Sequence, residues 1–373
     1  MSKQLIDRQE QGRIISEMNG SVNRISEKSY IVNSQSGNGS YNVNANELGW
    51  NCSCPDHVYR GVKCKHVYAV ELSFAIRKQV EVTRIEPLSI SNCIFCKSAN
   101  IVKDGIRHNK HGDIQKYNCR NCNHYFTINL GFERMRATPQ IITSSLQLYF
   151  TGESLRNVQK FLRLQGVNIN HNTVYRWIKK YVGLMENYLE KIKPNVGNAW
   201  RTDELFLKVK GDMKYLYALM DDETRFWIDQ QVADTKYTEN INPLFKQGKE
   251  LTGKRPNTLI SDGARNFNDS FNKEFYTNTT SRTRHISHIR LQGDHNNNKM
   301  ERFNGEVRDR EKVMRGLKKK DSAILTGYQI FHNYLRPHMG LNGMTPAEKC
   351  GIKIDGEDKW KTLIQNAAKN FNK

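Results

Sequence analysis

Three consecutive stretches decide the fold of this chain: WRTDELFLKV at 200–209, KYLYALMDD at 214–222 and RFWIDQQVA at 225–233. Each is a short run rich in apolar and aromatic residues, and only a few residues separate it from the next. This pattern predicts three successive strands joined by tight turns. The sequence from there to about residue 350 mixes helical and strand patterns. We therefore predict an α/β region that begins with these three strands.

Three acidic residues accompany this region. Asp203 lies in the first predicted strand, Asp262 ends a later strand, and Glu301 opens a basic helix. Carboxylates at strand ends and on one helix can converge on two divalent ions about 4 Å apart. Glu204 adjoins Asp203, but successive strand residues face opposite sides of a sheet, so only one of the two can face such a site. Each acid alone would more often be a solvated surface charge.

The motifs around these acids resemble those of DDE transposases of prokaryotic insertion sequences, over roughly 195–352. They are W-x-x-D-E at 200–204, S-D-G at 261–263, E-R-x-N-G at 301–305 and R-P-H-x-x-L-x-G-x-T-P-A-E at 336–348. The resemblance implies an RNase H-like mixed sheet flanked by helices. It also implies a catalytic triad that holds two Mg²⁺ or Mn²⁺ ions, formed by Asp203, Asp262 and Glu301.

Seven of the eight cysteines lie between residues 52 and 122. Two C-x-x-C pairs, at 93–96 and 119–122, have the spacing of a zinc ribbon, because each pair can place two sulfur atoms on one edge of a tetrahedral zinc ion. Redox use of one pair is the alternative. We interpret the nearby His108, His111 and His124 as surface residues. The predicted ligands are Cys93, Cys96, Cys119 and Cys122.

A second ligand set precedes the ribbon. Its C-x-C and C-x-H pairs follow strand-like sequence and precede helix-like sequence, and in this they resemble the SWIM zinc finger. The predicted ligands are Cys52, Cys54, Cys64 and His66. His57 is close enough in sequence to compete, and two reduced thiol pairs with a chance histidine are the alternative. SWIM domains bind DNA or protein, so this motif predicts a metal more firmly than a partner.

Helical periodicity at 138–185 predicts a three-helix helix-turn-helix domain. Its second and third helices are expected at 155–165 and 171–181, with six Lys or Arg and no Asp or Glu between Leu155 and Lys180. One-sided positive charge suits a DNA phosphate backbone, although a plain helical hairpin is the alternative. The residues predicted to contact DNA are Asn172, Thr173, Arg176 and Lys179, joined by Arg302 and Arg308 of the basic helix that Glu301 opens. That helix could instead be an ordinary solvated one.

Composition agrees with a nucleic-acid partner. The 373 residues carry 58 Lys plus Arg against 38 Asp plus Glu, a net charge of +20, which suggests a polyanionic ligand. No run approaches the ~18 apolar residues of a membrane span, and the first residues lack the apolar core of a signal peptide. We therefore expect no membrane partner and a location in the prokaryotic cytoplasm, with the nucleoid. The near-Walker sequence GKELTGKR at 248–255 has Arg255 where a hydroxyl residue would hold magnesium, so we exclude ATP binding.

Together these features predict a multidomain α/β protein. The predicted regions are a SWIM-type zinc finger at 1–85, a zinc ribbon at 88–131, the helix-turn-helix at 135–190, the RNase H-like domain at 196–352 and a helical tail at 353–373. The expected function is DNA transposition: metal-dependent cleavage at double-stranded element ends and strand transfer into target DNA, by a homo-oligomer on paired ends. The alternatives are a transposase-derived DNA-binding regulator that does not cut, and an RNase H-type nuclease.

Overall fold

The computed structural model describes residues 5–18, 20–26, 28–35, 39–46, 49–78, 82–88, 91–109, 112–127, 129–276, 283–287, 298–314, 317 and 322–371. The chain forms two compact units. The first comprises Met1–Glu81, Pro194–Leu207 and Asp212–Glu306, and the second Val82–Lys193, Lys208–Gly211 and Val307–Lys373. This grouping does not test the five regions named above, whose boundaries stay predictions. Among the described helices, none is long and apolar enough to cross a membrane.

The N-terminal part is a helix followed by a four-stranded antiparallel sheet and two further helices. In chain order these are α1 (Leu5–Glu17), β1 (Val22–Ser26), β2 (Ser29–Asn33), β3 (Ser40–Asn46), β4 (Gly49–Cys52), α2 (Pro55–Arg60) and α3 (Lys65–Lys78). The strands and α3 agree with the sequence prediction. Helix α1 was not predicted, because its sequence is mostly polar. It lies close to α3 at Gly12, where an added Cβ would come within 2.5 Å of Tyr68 Cβ.

The next part is a three-stranded antiparallel sheet that begins after the short strand β5 (Thr83–Ile85). Its strands are β6 (Ile101–Asn109), β7 (Gly112–Cys119) and β8 (Tyr125–Thr127). The β6–β7 hairpin connects the two C-x-x-C pairs, as expected for a zinc ribbon.

Three helices follow: α4 (Pro139–Thr151), α5 (Leu155–Leu164) and α6 (His171–Leu189). Side chains of Thr138, Ser154 and Asn170 cap their N-termini by accepting backbone N–H groups. Helix α6 continues eight residues beyond the predicted end at 181, because Val182, Met185 and Leu189 extend its buried apolar face.

The central five-stranded sheet has the order β11-β10-β9-β12-β13. It is built in chain order from β9 (Ala199–Val209), β10 (Asp212–Asp221), β11 (Trp227–Ala233), α7 (Asn242–Thr252), β12 (Thr258–Ile260), α8 (Arg265–Phe275), β13 (Arg284–Ile286) and α9 (Asn298–Met314). Strand β11 is antiparallel to β10, whereas β12 is parallel to both β9 and β13. The predicted mixed sheet flanked by helices is confirmed.

Helix α7 packs on this sheet through Gly248. A Cβ at that position would lie 2.5 Å from Leu219 and within 4 Å of Ile228 and Trp200. Gly248 is therefore a packing residue inside a helix and does not belong to a phosphate-binding loop, which agrees with the exclusion of a Walker motif.

The C-terminal elements are α10 (Ala323–Ile330), a π-helical turn at Phe331–Leu335, α11 (Pro346–Lys349), β14 (Ile352–Ile354) and α12 (Lys359–Phe371). Strand β14 pairs in parallel with β5. The tail is helical as predicted, and Trp360, Leu363 and Ile364 are buried, so its apolar residues serve packing.

A buried charge cluster stands at the end of β10. Asp222 is fully buried, and its Oδ1 accepts hydrogen bonds from Arg201 Nε and from Lys299 Nζ at 3.0 Å. Lys299 also donates to the Asp222 carbonyl oxygen at 2.9 Å. Burial alone would raise the pKa of Asp222, but Arg201, Lys299 and Arg24 together lower it to about 2. The turn after β10 is thereby tied to β9 and to the start of α9.

We expect Asp222→Asn to destabilise the protein by about 3 kcal/mol at pH 7, because Arg201 would keep a buried charge without its counter-ion. The folded-state pKa lies below the ordinary value of 3.8, so the contribution is present above pH 4 and declines as the pH falls toward 2. Urea unfolding at several pH values measures this. The exposed Asp212→Asn variant is the control, and equal stability of the two variants at pH 7 would contradict the assignment.

Candidate active site and metal centres

The first ligand set is assembled where β4 meets α2 and α3. Cys52 ends β4, Cys54 precedes α2, and Cys64 and His66 flank the start of α3. All four are buried, and their ligand atoms lie within 4.8 Å of one another. His66 Nδ1 is 3.8 Å from Cys52 Sγ and 3.9 Å from Cys64 Sγ. Tetrahedral zinc needs ligand separations of about 3.7 Å, so these residues fit the ion.

Two further features support this ligand assignment. The hydrogen bond from Cys52 lowers the pKa of the Cys64 thiol to about 3, against the opposing effect of burial. A thiolate, the form that binds zinc, is therefore favoured at Cys64 at neutral pH, whereas the same hydrogen bond raises the pKa of Cys52. His57 lies outside this cluster, with Nδ1 2.9 Å from the carbonyl oxygen of Val62 and Nε2 3.4 Å from Asn51 Oδ1.

The second ligand set joins the two ends of the ribbon sheet. Cys93 Sγ is 3.6 Å from Cys122 Sγ, and Cys96 Sγ is 3.4 Å from Cys119 Sγ. All four sulfur atoms lie within 4.8 Å of one another. Of the three histidines interpreted as surface residues, His108 and His124 are exposed and His111 lies outside the described residues. The chain thus has two Cys/His zinc-binding clusters.

The predicted triad begins with Asp203, near the middle of β9 in the central strand of the sheet. Its Oδ1 accepts the backbone N–H of Glu204 at 3.0 Å, and its Oδ2 accepts the side-chain amide of Asn304 at 2.8 Å. Burial raises the pKa of Asp203 to about 6, with a contribution from the negative charge of Asp262. Two carboxylates near each other, held by neutral hydrogen-bond donors, are a suitable pair for a divalent cation.

Asp262 and Glu301 are both exposed. Asp262 follows β12 and accepts the backbone N–H of Ala264 at 2.9 Å. Glu301 lies one helical turn before Asn304 on α9, so the two share a face of that helix. The three carboxylates are not within 4.8 Å of one another in the described structure. The structure therefore brings Asn304 of α9 to Asp203, and Asp262 close enough to act on the pKa of Asp203, but it does not bring the three carboxylates together.

Gly263 fixes the position of Asp262. Its φ is +82°, and an added Cβ would lie 1.9 Å from the carbonyl oxygen of Ser287. No other residue fits this approach without moving the backbone. The S-D-G motif is thereby explained: the glycine lets the segment after β12 pass close to the segment after β13.

The residues beside the triad have mainly structural partners. The Glu204 carboxylate pairs with Lys236, and Asp203 with Asn304, which agrees with the opposite orientation expected for neighbouring strand residues. Asp221 and Asp222 are both buried. His338 is also buried, with Nε2 3.3 Å from the carbonyl oxygen of His332, which favours loop packing over a DNA contact.

Sequence reasoning missed two contacts to this site. Asn304 was part of a quoted motif, but its bond to Asp203 spans 101 residues. The spacing of three residues from Glu301 was the signal that could have identified it. Lys299 carried no such signal, because its carboxylate partner, Asp222, lies 77 residues away.

The candidate DNA-contacting side chains occupy two helices. On α6, Asn172, Arg176 and Lys179 are exposed and Thr173 is partly exposed, whereas Val174, Trp177, Ile178 and Tyr181 are buried. Helix α6 thus has a buried apolar face and an exposed polar face. On α9, Arg302 and Arg308 are exposed, and Arg302 Nε lies 3.8 Å from Glu306 Oε1.

Comparison with known proteins places two segments in families. Residues 197–338 match a DDE domain and residues 39–75 match the SWIM zinc finger. The chain is 32% identical over 115 residues to a transposase for insertion sequence-like element IS431mec of Staphylococcus aureus, covering 29% of this chain and 51% of that protein. It is 30% identical over 138 residues to the transposase for insertion sequence element IS257 in transposon Tn4003, also from Staphylococcus aureus. That match covers 35% of this chain and 62% of that protein.

The chain thus spans about half to three-fifths of the curated relatives it matches. Among solved structures, the HTLV-2 integrase catalytic core domain in complex with magnesium is similar at 18% identity and a TM-score of 0.30, covering 43% of this chain and 98% of that one. The segment matches establish a DDE domain of the insertion-sequence transposase type and a SWIM zinc finger in one chain. The resemblance inferred from the motifs is confirmed.

We expect two zinc ions per chain in elemental analysis of the purified protein, because two closed four-ligand sets are present. Cys64→Ala and Cys119→Ala should each lower the content to one, since three ligands bind zinc far more weakly than four. Cys350→Ala, which changes a buried cysteine outside both sets, should leave it at two. Full zinc content in either ligand variant would refute that site.

Proposed function

We propose that this protein is the DNA transposase of an insertion sequence. It binds the terminal repeats of its element and catalyses divalent-metal-dependent cleavage and strand transfer of double-stranded DNA. The observation that supports this proposal is the contact of helix α9 with the central strand β9, where Asn304 donates to Asp203, whose pKa the charge of Asp262 also raises. The matched DDE domain spans all three acids.

In this function Asp203, Asp262 and Glu301 would hold two Mg²⁺ or Mn²⁺ ions, which would supply activation of the attacking oxygen and charge stabilisation of the leaving oxygen of a phosphodiester. The protein's own contribution is positioning and charge. Asn304 holds the Asp203 carboxylate, and the backbone N–H of Ala264 orients Asp262. The exposure of Asp262 and Glu301 leaves one side of the site open to a DNA backbone.

DNA recognition belongs in this proposal to helix α6. Its exposed Asn172, Arg176 and Lys179 follow the helical spacing of one face, and its N-terminal turn suits insertion into a major groove. Arg302 and Arg308 on α9 would contact the backbone of DNA that enters the site. The protein acts on two ends as a homo-oligomer, and its location is the prokaryotic cytoplasm with the nucleoid.

Glu301→Gln tests the enzyme assignment. The amide keeps the side-chain shape but removes a negative ligand, so cleavage and strand transfer with Mg²⁺ or Mn²⁺ should fall by a factor on the order of a thousand. Asp203→Asn and Asp262→Asn should behave alike. Binding of end DNA should be unchanged in all three variants, as measured by fluorescence anisotropy.

Asp309→Asn is the matched control for Glu301→Gln, because Asp309 is an exposed acid on the same helix whose carboxylate pairs with Lys312. It should keep wild-type activity. Undiminished strand transfer by the Glu301→Gln protein would defeat the catalytic assignment. A wild-type protein that binds element ends but is inert with both metals would instead favour the DNA-binding regulator.

The recognition helix gives a separate prediction. Arg176→Ala and Asn172→Ala should weaken binding to the terminal repeat by about 1–3 kcal/mol for each true base contact, and should relax its specificity. Lys179→Ala should lower affinity evenly across sequences and reduce the salt dependence. Lys353→Ala, a half-exposed cation near the tail helix, is the control. Unchanged binding in all three α6 variants would transfer recognition to the zinc modules.

A further inference from the structure

The SWIM match covers residues 39–75, and strand β1 belongs to the same four-stranded sheet as β3 and β4 of that segment. We refer to this sheet with its zinc-ligand set as the finger. The finger lies in one compact unit with most of the central sheet, and β1 contacts that sheet. A register shift lies between Arg24 and Ser26 where β1 pairs with β2. Such a bulge re-aims side chains, and both Arg24 and Ile25 are 3% exposed. Ile25 packs with Ile260 of β12 and Ile286 of β13. The finger therefore packs against the central sheet through apolar side chains.

Arg24 adds an electrostatic contact at the same place. Its Nη1 lies 3.3 Å from Glu223 Oε2, and Glu223 is itself mostly buried. Burial acts to lower the pKa of Arg24, but the charges of Glu223 and Asp222 outweigh this effect, and the pKa lies above its ordinary value. The guanidinium is thus charged. It lies against the segment Asp221–Glu223, here called the acidic turn, which begins at the last residue of β10.

The acidic turn reaches the proposed active site through two cations. Asp222 binds Arg201, two residues before Asp203, and Lys299, two residues before Glu301. Arg24 is the third cation that lowers the pKa of Asp222. A chain of buried and partly buried charges therefore runs from β1 to β9 and α9, two of the three elements that carry proposed catalytic carboxylates.

We propose that the SWIM zinc finger is a structural part of the catalytic centre. Its β1 strand binds this chain's own acidic turn through Arg24, and the turn holds the first turn of α9 through Lys299. Arg24 is a positioning residue in this arrangement, because it acts on Glu301 only through Asp222 and Lys299. The catalytic consequence rests on the transposase function proposed above, whereas the structural coupling does not.

Hydrogen–deuterium exchange of the full chain without DNA tests the coupling directly. Arg24→Gln should increase exchange in β1, in the acidic turn and in the first turn of α9, which lies far from the substitution in sequence. The matched control is Arg60→Gln, the same change at an exposed arginine of the same finger whose partner is Asp56. Equal exchange at the start of α9 in Arg24→Gln and Arg60→Gln would overturn the proposal.

Two further variants distinguish the loss of the positive charge at position 24 from a loss of packing there. Arg24→Lys keeps the positive charge and should restore most of the protection at α9. Arg24→Gln/Glu223→Gln removes the acid that the first change leaves buried without its cation, so it should be closer to the wild type than Arg24→Gln alone. If neither variant recovers protection, the effect is loss of packing and the charge-based proposal fails.

Strand transfer at saturating end DNA is the second measurement. Arg24→Gln should slow it about ten- to a hundredfold, since small displacements of catalytic groups have effects of that size. The Kd for end DNA and the zinc content should be unchanged. A weaker Kd with a normal rate at saturation would mean that this finger binds DNA instead. If the wild type is itself inert, the proposed function fails while the exchange experiment still decides the coupling.

Discussion

Asp222 carries a full negative charge out of contact with water, and Arg201 and Lys299 hold it there by hydrogen bonds. A buried carboxylate is tolerated only where counter-charges and donors surround it, so each partner must keep its position for the others to be stable. One partner precedes Asp203 on β9, and the other precedes Glu301 on α9. The separation of β9 and α9 is thereby limited by electrostatics, and Trp227 of the neighbouring β11 also packs against Phe303 of α9.

Zinc bound by the two ligand sets would stabilise the two small modules in a similar way, because it would hold their ligands in fixed positions. Cys52, Cys54 and Cys64 belong to the apolar core of the finger, together with residues such as Tyr30 and Val43. Modules of this size bury too little surface to be stable alone, so metal binding supplies much of their folding free energy. In the finger this has a wider effect, because β1 can present Arg24 and Ile25 to the catalytic sheet only when the finger is folded.

The features that sequence predicted well were local ones. The two zinc-ligand sets and the first three strands of the central sheet depend on spacing and periodicity within short windows. Helix α1 could not be predicted in this way, because its sequence is mostly polar and its close packing against α3 at Gly12 is a tertiary contact. The end of α6 was predicted too early for a similar reason: the core of its own unit decides how far that helix continues.

The sequence by itself determined the chemistry available to this protein: eight candidate zinc ligands in two sets, three acids in a DDE context, and a polar, basic face on helix α6. Only the tertiary structure decided how these groups are held. Asn304 meets Asp203 across 101 residues, and Arg24 meets Glu223 across an even longer stretch of chain. Such pairs leave no periodic or spacing signal, because their partners are chosen by the strand order of the sheet and by the cost of burying a charge without its counter-ion.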